Sequence, residues 1–393
     1  MRKSRIDVKN LDQRQVFRVC EIGTLEQEWV SDINFLIPIR TIADESTVNN
    51  LITHGLHNLT PIYGNSAEAY DQAHQLTGSL QDFHAGDVVA LTPSRNMVTT
   101  LFRESDQHHS IFITNQCNSL CLMCSQPPTT QDDSWLINEA MQLIRHIKTS
   151  PISIGLTGGE PLLRGKSIRL LVEMIAEHHP STHINILTNG RLLAEEAFSS
   201  DLLSNLNVPV SWLVPLYGHA DFLHDFIVQK PKAFEETLAG LLNLQKYHQT
   251  IQIRIVLIAH LLPYLTDLCE FITRNIPFAT EVVLMGCEPT GFALANAEIC
   301  FTDIRVWNPT LLKAIQTLEQ GNIPVKIMNV PLCALESTLW KYAIQSISDW
   351  KRVFTTECEC CEVKDSCCGL FAWHEKGWKP TILKALKRNG ELV

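Results

Sequence analysis

Thr114–Pro128 reads TNQCNSLCLMCSQPP and packs three cysteines, Cys117, Cys121 and Cys124, into eight residues. Three residues and then two separate them. Three thiolates cannot close a tetrahedral metal site, and three thiols cannot all pair as disulfides, so one position is left open. The stretch follows directly on SIFIT (110–114), a short β-rich run.

Similar runs recur downstream. PISIGLT (151–157), HINILTN (183–189), PVSWLVPL (209–216), IQIRIVLI (251–258) and EVVLMG (281–286) are rich in Ile, Leu and Val and are bounded by Pro, Gly or Asn. Between them lie SWLINEAMQLIRHI, SIRLLVEMIAEHH and AFEETLAGLLNLQKYH, with apolar residues at helical spacing. Six β–α units predict an α/β fold with a parallel sheet and right-handed crossovers, open or closed into a barrel. Either way, chemistry belongs at the C-terminal ends of the strands. The cysteine cluster follows the first run, TGGEP the second, TNG the third, YGH the fourth and CEPTG the sixth.

At 393 residues, 45% hydrophobic and 19% charged, the chain has room for a large core and two or three domains. No apolar run reaches membrane-spanning length, and Met1–Asn10 is charged without the apolar core of a signal peptide. The expectation is a cytoplasmic protein with no membrane association. A net charge of −10 argues against nucleic-acid binding, which needs a basic face. Residues 1–108 precede the core. Within them GDVVALTPSRNMVTTLFRE suggests a hairpin and STVNNLITHGL a helix, hence a small α+β domain for substrate or partner recognition. The core spans 109–329. Residues 330–393 form a cysteine-rich tail, with a basic helix expected around Ile382 to Arg388.

Thirteen cysteines are many for a cytosolic chain, where clustered thiols bind metal or do redox work. Closely spaced thiolates suit an iron–sulfur cluster, each of whose irons takes one external ligand. Zinc is the competitor; it needs a fourth ligand at about 2.0–2.3 Å, which His108 or His109 could supply.

Cys117-x3-Cys121-x-Met123-Cys124 resembles the cluster signature of the radical S-adenosylmethionine (SAM) superfamily, and GLTGGEPLL (155–163) resembles its GGE motif. The resemblance covers about residues 108–295 and implies a partial (β/α)6 TIM-like barrel. It also implies a 4Fe–4S cluster on Cys117, Cys121 and Cys124, whose open iron is chelated by S-adenosylmethionine. One electron from the reduced cluster would break the sulfonium C–S bond and give a 5′-deoxyadenosyl radical. By the same resemblance Gly158 and Gly159 let backbone carbonyls approach the cofactor's amino group, Glu160 offers a carboxylate to a cation, and Met123 lies near the adenine. Thr188, Asn189 and Arg254 are further candidate cofactor contacts; a turn and a solvent-facing strand arginine are their plain alternatives. His219 lies at the same mouth, where a loop histidine is ordinarily just solvated.

After the core come Cys333, Cys358, Cys360, Cys361, Cys367 and Cys368. Cys333 with Cys358-x2-Cys361-x5-Cys367 gives a four-thiolate set resembling the twitch form of the SPASM extension, which carries one auxiliary 4Fe–4S cluster. Cys360 or Cys368 could replace a neighbouring ligand, and a zinc knot is the alternative. The stretches LCLMCSQPP, LMGCEPTGFALAN (284–296), LWKYAIQSISDWK (339–351) and CCGLF (367–371) together resemble His-Xaa-Ser system radical SAM maturases of the C type. That resemblance implies a precursor peptide with His-Xaa-Ser repeats, a second radical SAM maturase, a small accessory protein and an external electron donor.

The leading expectation is therefore a radical SAM maturase that abstracts hydrogen from a ribosomally made precursor and oxidises the radical to a crosslink or similar modification. Redox-neutral epimerisation is the second reading and needs a thiol to return hydrogen. Cys287, after the sixth strand, is the candidate catalytic residue for this, with Cys300 behind it; an ordinary buried thiol is the alternative for each. A non-catalytic, cluster-bearing partner subunit is the third.

Overall fold

The computed structural model describes residues 2–8, 11–64, 76–374, 383–388 and 390. By packing, the chain divides into two compact units. One comprises Met1–Ile111, Ser134–Ile154 and Glu173–Thr182; the other comprises Phe112–Asp133, Gly155–Val172 and His183–Val393.

The first unit is built on a mixed eight-stranded sheet. Its strands are β1 (Lys3–Arg5), β2 (Asp7–Val8), β3 (Gln15–Val19), β4 (Phe35–Ile39), β5 (Leu59–Gly64), β6 (Leu76–Gly78), β7 (Val88–Thr92) and β8 (Met97–Phe102), in the order β1-β8-β7-β3-β4-β5-β6-β2. The expected hairpin is β7–β8, antiparallel, with Asn96 in the left-handed region that tight turns require. The expected helix is α1 (Ile42–Thr53). Its N-terminus is closed by a capping box in which Thr41 accepts from the Asp44 backbone and the Asp44 carboxylate accepts from the Thr41 backbone. Alternate residues of the sheet feed two apolar clusters, Phe17, Leu36, Ile62 and Leu91 in one and Phe35, Ile37 and Tyr63, joined by Val48 of α1, in the other, so β4 is buried along its whole length. Helix α2 (Trp135–His146) belongs to this unit. Buried Arg18 donates from Nε to the His146 carbonyl at 2.6 Å and lies over the Phe35 ring.

A seven-stranded sheet takes its strands in chain order: β9 (His109–Thr114), β10 (Ser153–Gly158), β11 (His183–Leu187), β12 (Val210–Pro215), β13 (Thr250–Leu257), β14 (Glu281–Gly286) and β15 (Val325–Met328). From β11 to β15 every pairing is parallel. Consecutive order with helical crossovers is the plan of a partial (β/α) barrel. The crossovers include α3 (Lys166–His178), α4 (Glu196–Leu203), α5 (Asp221–Val228), α6 (Ala233–Lys246), α7 (Leu265–Asn275) and α8 (Asn308–Gln320). The six expected strands are all present, and the short VKIM strand β15 adds a seventh. Along β13, Ile251, Ile253, Ile255 and Leu257 are fully buried, while Gln252, Arg254 and Val256 alternate with them on the other, half-buried face.

After β15 the chain makes short 3₁₀ turns and a two-stranded ribbon, β16 (Arg352–Val353) with β17 (Leu370–Phe371). The basic helix expected at the end of the chain is absent from Leu383–Arg388, and Ile382 lies outside the described residues. Leu386 N donates instead to the thiol of Cys361, so this segment is held by local contacts rather than by helical periodicity. Among the described residues no helix is long and apolar enough to cross a membrane.

Gly240 tests the packing of the second unit. It lies inside α6, where replacing glycine with alanine ordinarily stabilises a helix by about 1 kcal/mol. Here a Cβ would fall 2.2 Å from the Gly190 carbonyl oxygen. Gly240→Ala is therefore expected to lower the urea midpoint, with a net loss of about 1–3 kcal/mol rather than a gain.

Candidate functional site

The candidate site lies in the second unit, most of its residues on loops at the C-terminal ends of the strands. The cysteine loop leaves β9 at Thr114 and is fixed from several sides. The Gly159 and Glu160 amides donate to the carbonyls of Thr114 and Gln116 at 2.7 and 2.8 Å. Leu120 N and Leu122 N donate to Val228 and Ile227 at the end of α5, and Phe292 N donates to the Cys124 carbonyl. Asn296 Nδ2 holds the Leu122 carbonyl at 2.9 Å.

The glycines of TGGEP have a steric reason to be glycine. Gly158 adopts φ 149°, and a Cβ there would meet the Thr114 oxygen at 2.3 Å; a Cβ on Gly159 would meet the Gln116 oxygen at 2.2 Å. The end of β10 lies so close to the cysteine loop that no side chain fits between them.

Glu160 is completely buried. Its carboxylate accepts from Thr188 Oγ1 at 2.6 Å, Asn189 N at 2.7 Å and Leu162 N at 2.9 Å. Asn189 Nδ2 continues to the Asn118 side chain at 2.6 Å, which joins TNG to the cysteine loop. Burial nevertheless outweighs these bonds and the nearby Arg191, and the Glu160 carboxyl is pushed above its usual range. A carboxylate offers about four acceptor positions, of which the chain fills three.

The three thiols are free and partly accessible, and Met123 between them is buried. Burial, with the neighbouring thiols adding to it, pushes Cys117 up to about 11 and Cys121 to about 12. Binding any metal here must therefore release protons. Among the described residues no group of three His, Cys, Asp or Glu side chains is drawn together as for a single metal ion. Of the two histidines raised as zinc ligands, His109 stacks on Phe102 with ring centroids 4.3 Å apart. Arg254 stands on the half-buried face of β13, its Nε donating to Gln252 at 2.9 Å, and burial lowers it to about 10. His219 lies 6.3 Å from the Tyr264 ring, and its buried Nδ1 has no partner among the described residues.

Three groups of this mouth escaped the sequence reading. Tyr217 is buried, and its hydroxyl feels the thiols of Cys121, Cys124 and Cys287 with Arg254 opposing them; burial first and these thiols second push it well above its usual value. Arg191 donates to the Asn118 carbonyl at 2.6 Å and to Ser119 Oγ at 3.1 Å, while pairing with Glu236. Asp133 binds the Asn115 backbone and side chain, Thr114 Oγ1 and Arg164. Burial raises the Asp133 carboxyl, but these donors prevail and leave it below its usual range. For Arg191 and Asp133 the available signal is a charged residue beside its loop, and for Tyr217 an aromatic after its strand, each too common to single out.

The second cysteine group is gathered around one cavity of about 320 Å³. Cys333, Cys358, Cys361 and Cys367 line it together with Leu332, Phe354 and Leu383. Backbone amides converge on these sulfurs: Leu332 N and Gly369 N on Cys367 and Leu386 N on Cys361, each at 3.4 Å, and Lys384 N on Cys333. The adjacent Cys368 thiol and these two amides bring Cys367 down to about 6 against the opposing effect of burial. The two remaining thiols do not line that cavity, although Cys368 adjoins Cys367. Cys360 is exposed, and Cys368 is buried among Ile347, Phe371 and Trp373.

Residues 111–270 match the family model of the radical SAM superfamily. The chain is 26% identical over 170 residues to an uncharacterized protein of Methanocaldococcus jannaschii, covering 42% of this chain and 58% of that one. It is 31% identical over 107 residues to the GTP 3′,8-cyclase of Nautilia profundicola, covering 26% and 33%. The chain thus spans less than two thirds of the length of these relatives. Among solved structures it is similar to Streptococcus suis SuiB bound to the precursor peptide SuiA, with 12% identity, a TM-score of 0.44, and 58% and 48% of the two chains covered. It is also similar to anSMEcpe with bound AdoMet, with 15% identity, a TM-score of 0.44, and 56% and 62% covered.

Asp133 is the residue on which the geometry of the cysteine loop can be tested without touching a thiol. Asp133→Asn removes the charge that holds Arg164 and the start of the loop. It is expected to cost about 3 kcal/mol, as when one partner of a buried pair is lost. Urea unfolding measures that loss, and a cost below about 0.5 kcal/mol would mean that the network is incidental.

Proposed function

We propose that the protein is a radical SAM peptide maturase of the His-Xaa-Ser type, acting in the cytoplasm on a ribosomally made precursor. The observation that carries this reading is the pairing of two unlike cysteine groups in one unit. One has three thiols on a loop at the strand ends; the other has four thiols around a single cavity. In this reading residues 1–108 recognise substrate or partner, 109–329 form the radical SAM core and 330–393 the auxiliary-cluster domain. The second maturase, the small accessory protein and the electron donor belong to the same proposal.

Cys117, Cys121 and Cys124 would hold the first 4Fe–4S cluster, and the absent fourth thiol leaves an iron for the methionyl part of S-adenosylmethionine. When bound, these groups supply a carbon-centred radical able to take hydrogen from an unactivated C–H bond. The chain's own task is aim. Glu160, buried and short of positive charge, has about one acceptor position left for an amino group. Thr188 and Asn189 hold that carboxylate in place. Arg254 would supply the cation for a carboxylate, and Met123 would lie near the adenine. Gly158 and Gly159 keep the strand end in contact with the loop.

Cys333, Cys358, Cys361 and Cys367 would hold the auxiliary 4Fe–4S cluster. Amide donors to the sulfurs are among the levers that set such a cluster's potential, and four thiolates leave no iron open. A closed cluster suits the acceptance of the second electron as a substrate radical is oxidised to a crosslink or similar product. Redox-neutral epimerisation is supported by one observation, the nearness of the Cys287 thiol to Tyr217 at the same mouth.

Anaerobic reconstitution should give about eight irons per chain. Cys117→Ala/Cys121→Ala/Cys124→Ala should retain about four, as should Cys333→Ala/Cys358→Ala/Cys361→Ala/Cys367→Ala, while Cys360→Ala and Cys368→Ala should retain about eight. Retention of eight by the four-cysteine variant would remove the auxiliary cluster from the reading. Reaction with precursor, S-adenosylmethionine and reductant should yield a peptide about two mass units lighter. An unchanged mass with solvent deuterium at one residue would favour epimerisation.

A further inference from the structure

Cys287 and Cys300 belong to neither cysteine group, yet they are neighbours. Cys287 follows the last residue of β14, and Cys300 ends a short helix, Ala297–Cys300. Both line one cavity of about 350 Å³ with Leu257, Gly286, Thr302 and Asn329. The Cys300 thiol is directed at the Leu122 carbonyl, 3.7 Å away, in the loop between Cys121 and Cys124. Cys287 also lines a second cavity of about 300 Å³ bounded by Gly369, Leu370, Phe371 and His374, directly after Cys367 and Cys368. The pair therefore stands between the two cysteine groups.

We propose that Cys287 and Cys300 are a redox-active dithiol that closes reversibly to an intramolecular disulfide by exchange with a small-molecule disulfide. Cys300 raises Cys287, with burial adding to it, while Cys287 lowers Cys300 against the effect of burial. The half-buried Cys287 is the sulfur reached from outside, and the buried Cys300 is the sulfur that resolves it. In the first exchange Cys287–SH and RSSR give Cys287–S–SR and RSH. In the second the Cys300 sulfur displaces RS, forming the Cys287–Cys300 bond and a second RSH. Two electrons pass from the pair to the small disulfide. The consequence for chemistry rests on the epimerisation form of the maturase reading: an open pair has an S–H hydrogen to return to a carbon radical, and a closed pair has none.

Both thiols fall in one tryptic peptide, Asn275–Arg305, which contains no internal lysine or arginine. Cluster-loaded protein is poised anaerobically in glutathione buffers of graded oxidation, quenched in acid, alkylated, digested and weighed. The peptide is expected to pass in one step from doubly alkylated to unalkylated and about two mass units lighter than the free dithiol. Cys269, buried with burial alone raising its thiol, is the internal control and should stay unoxidised at every poise. Cys300→Ser should stop at a glutathione adduct on Cys287. Independent alkylation of the two cysteines at every poise, or pairing of either with another cysteine, would overturn the proposal. Should Cys300→Ser fail to fold, the wild-type titration decides alone. Because the readout is thiol state and uses no precursor, an inactive enzyme with a titrating pair would sink the maturase reading and leave the dithiol standing.

Discussion

The buried carboxylate of Glu160 is the point through which three strand ends are held together. Through its own amide it is bonded to the cysteine loop that leaves β9. Its side chain caps the turn after β10, and the same oxygens take the hydroxyl and amide at the end of β11. An ionised carboxylate out of water costs several kcal/mol, and three hydrogen bonds to a charged group return about 1.5–3 kcal/mol each. The two sides are of similar size, and the raised carboxyl shows burial ahead. A site in that balance gains from one more positive neighbour. That is the physical case for an amino group binding there, and it follows without reference to any relative.

The same carboxylate explains why glycines must precede it. Glu160 can reach Thr188 and Asn189 only if the end of β10 is pressed against residues 114–117, and at that distance a methyl group collides with backbone oxygen. Flexibility is secondary here; the glycines are needed because there is no volume for anything else. Asn118, Asn189 and Arg191 then extend the contact around the loop, so the thiols sit on backbone fixed from the first three strand ends.

The barrel strands were legible because each is short, branched and closed by Pro, Gly or Asn, and their bounds in sequence and structure differ by one or two residues. β15 was not, since VKIM is four residues long with a lysine in it, and its pairing with β14 rather than its composition makes it a strand. The terminal helix failed for a related reason: residues 383–388 take their conformation from contact with Cys333 and Cys361, which no periodicity can signal. Among site residues, motif spacing singled out those that carry unusual chemistry. Tyr217, Arg191 and Asp133 are ordinary residues made important by neighbours distant in sequence, and a single sequence carries no trace of that.

The two cysteine groups differ in more than the number of thiols. At the first, backbone hydrogen bonds at residues 118 and 119 oppose burial at Cys117, yet burial prevails and the sulfurs stay high. At the second, amides from four separate residues point at three of the sulfurs, and one thiol already lies near neutrality. Donors to sulfur stabilise negative charge whether that charge is a free thiolate or a cluster thiolate, and so favour a site that gains and loses an electron without changing its ligands. An open position asks for the opposite, a ligand set that is incomplete until the cofactor arrives. The chain has built each arrangement from the same residue type, and the difference lies in the fourth thiol and in Cys367, which the adjacent Cys368 thiol and two amides bring down to about 6.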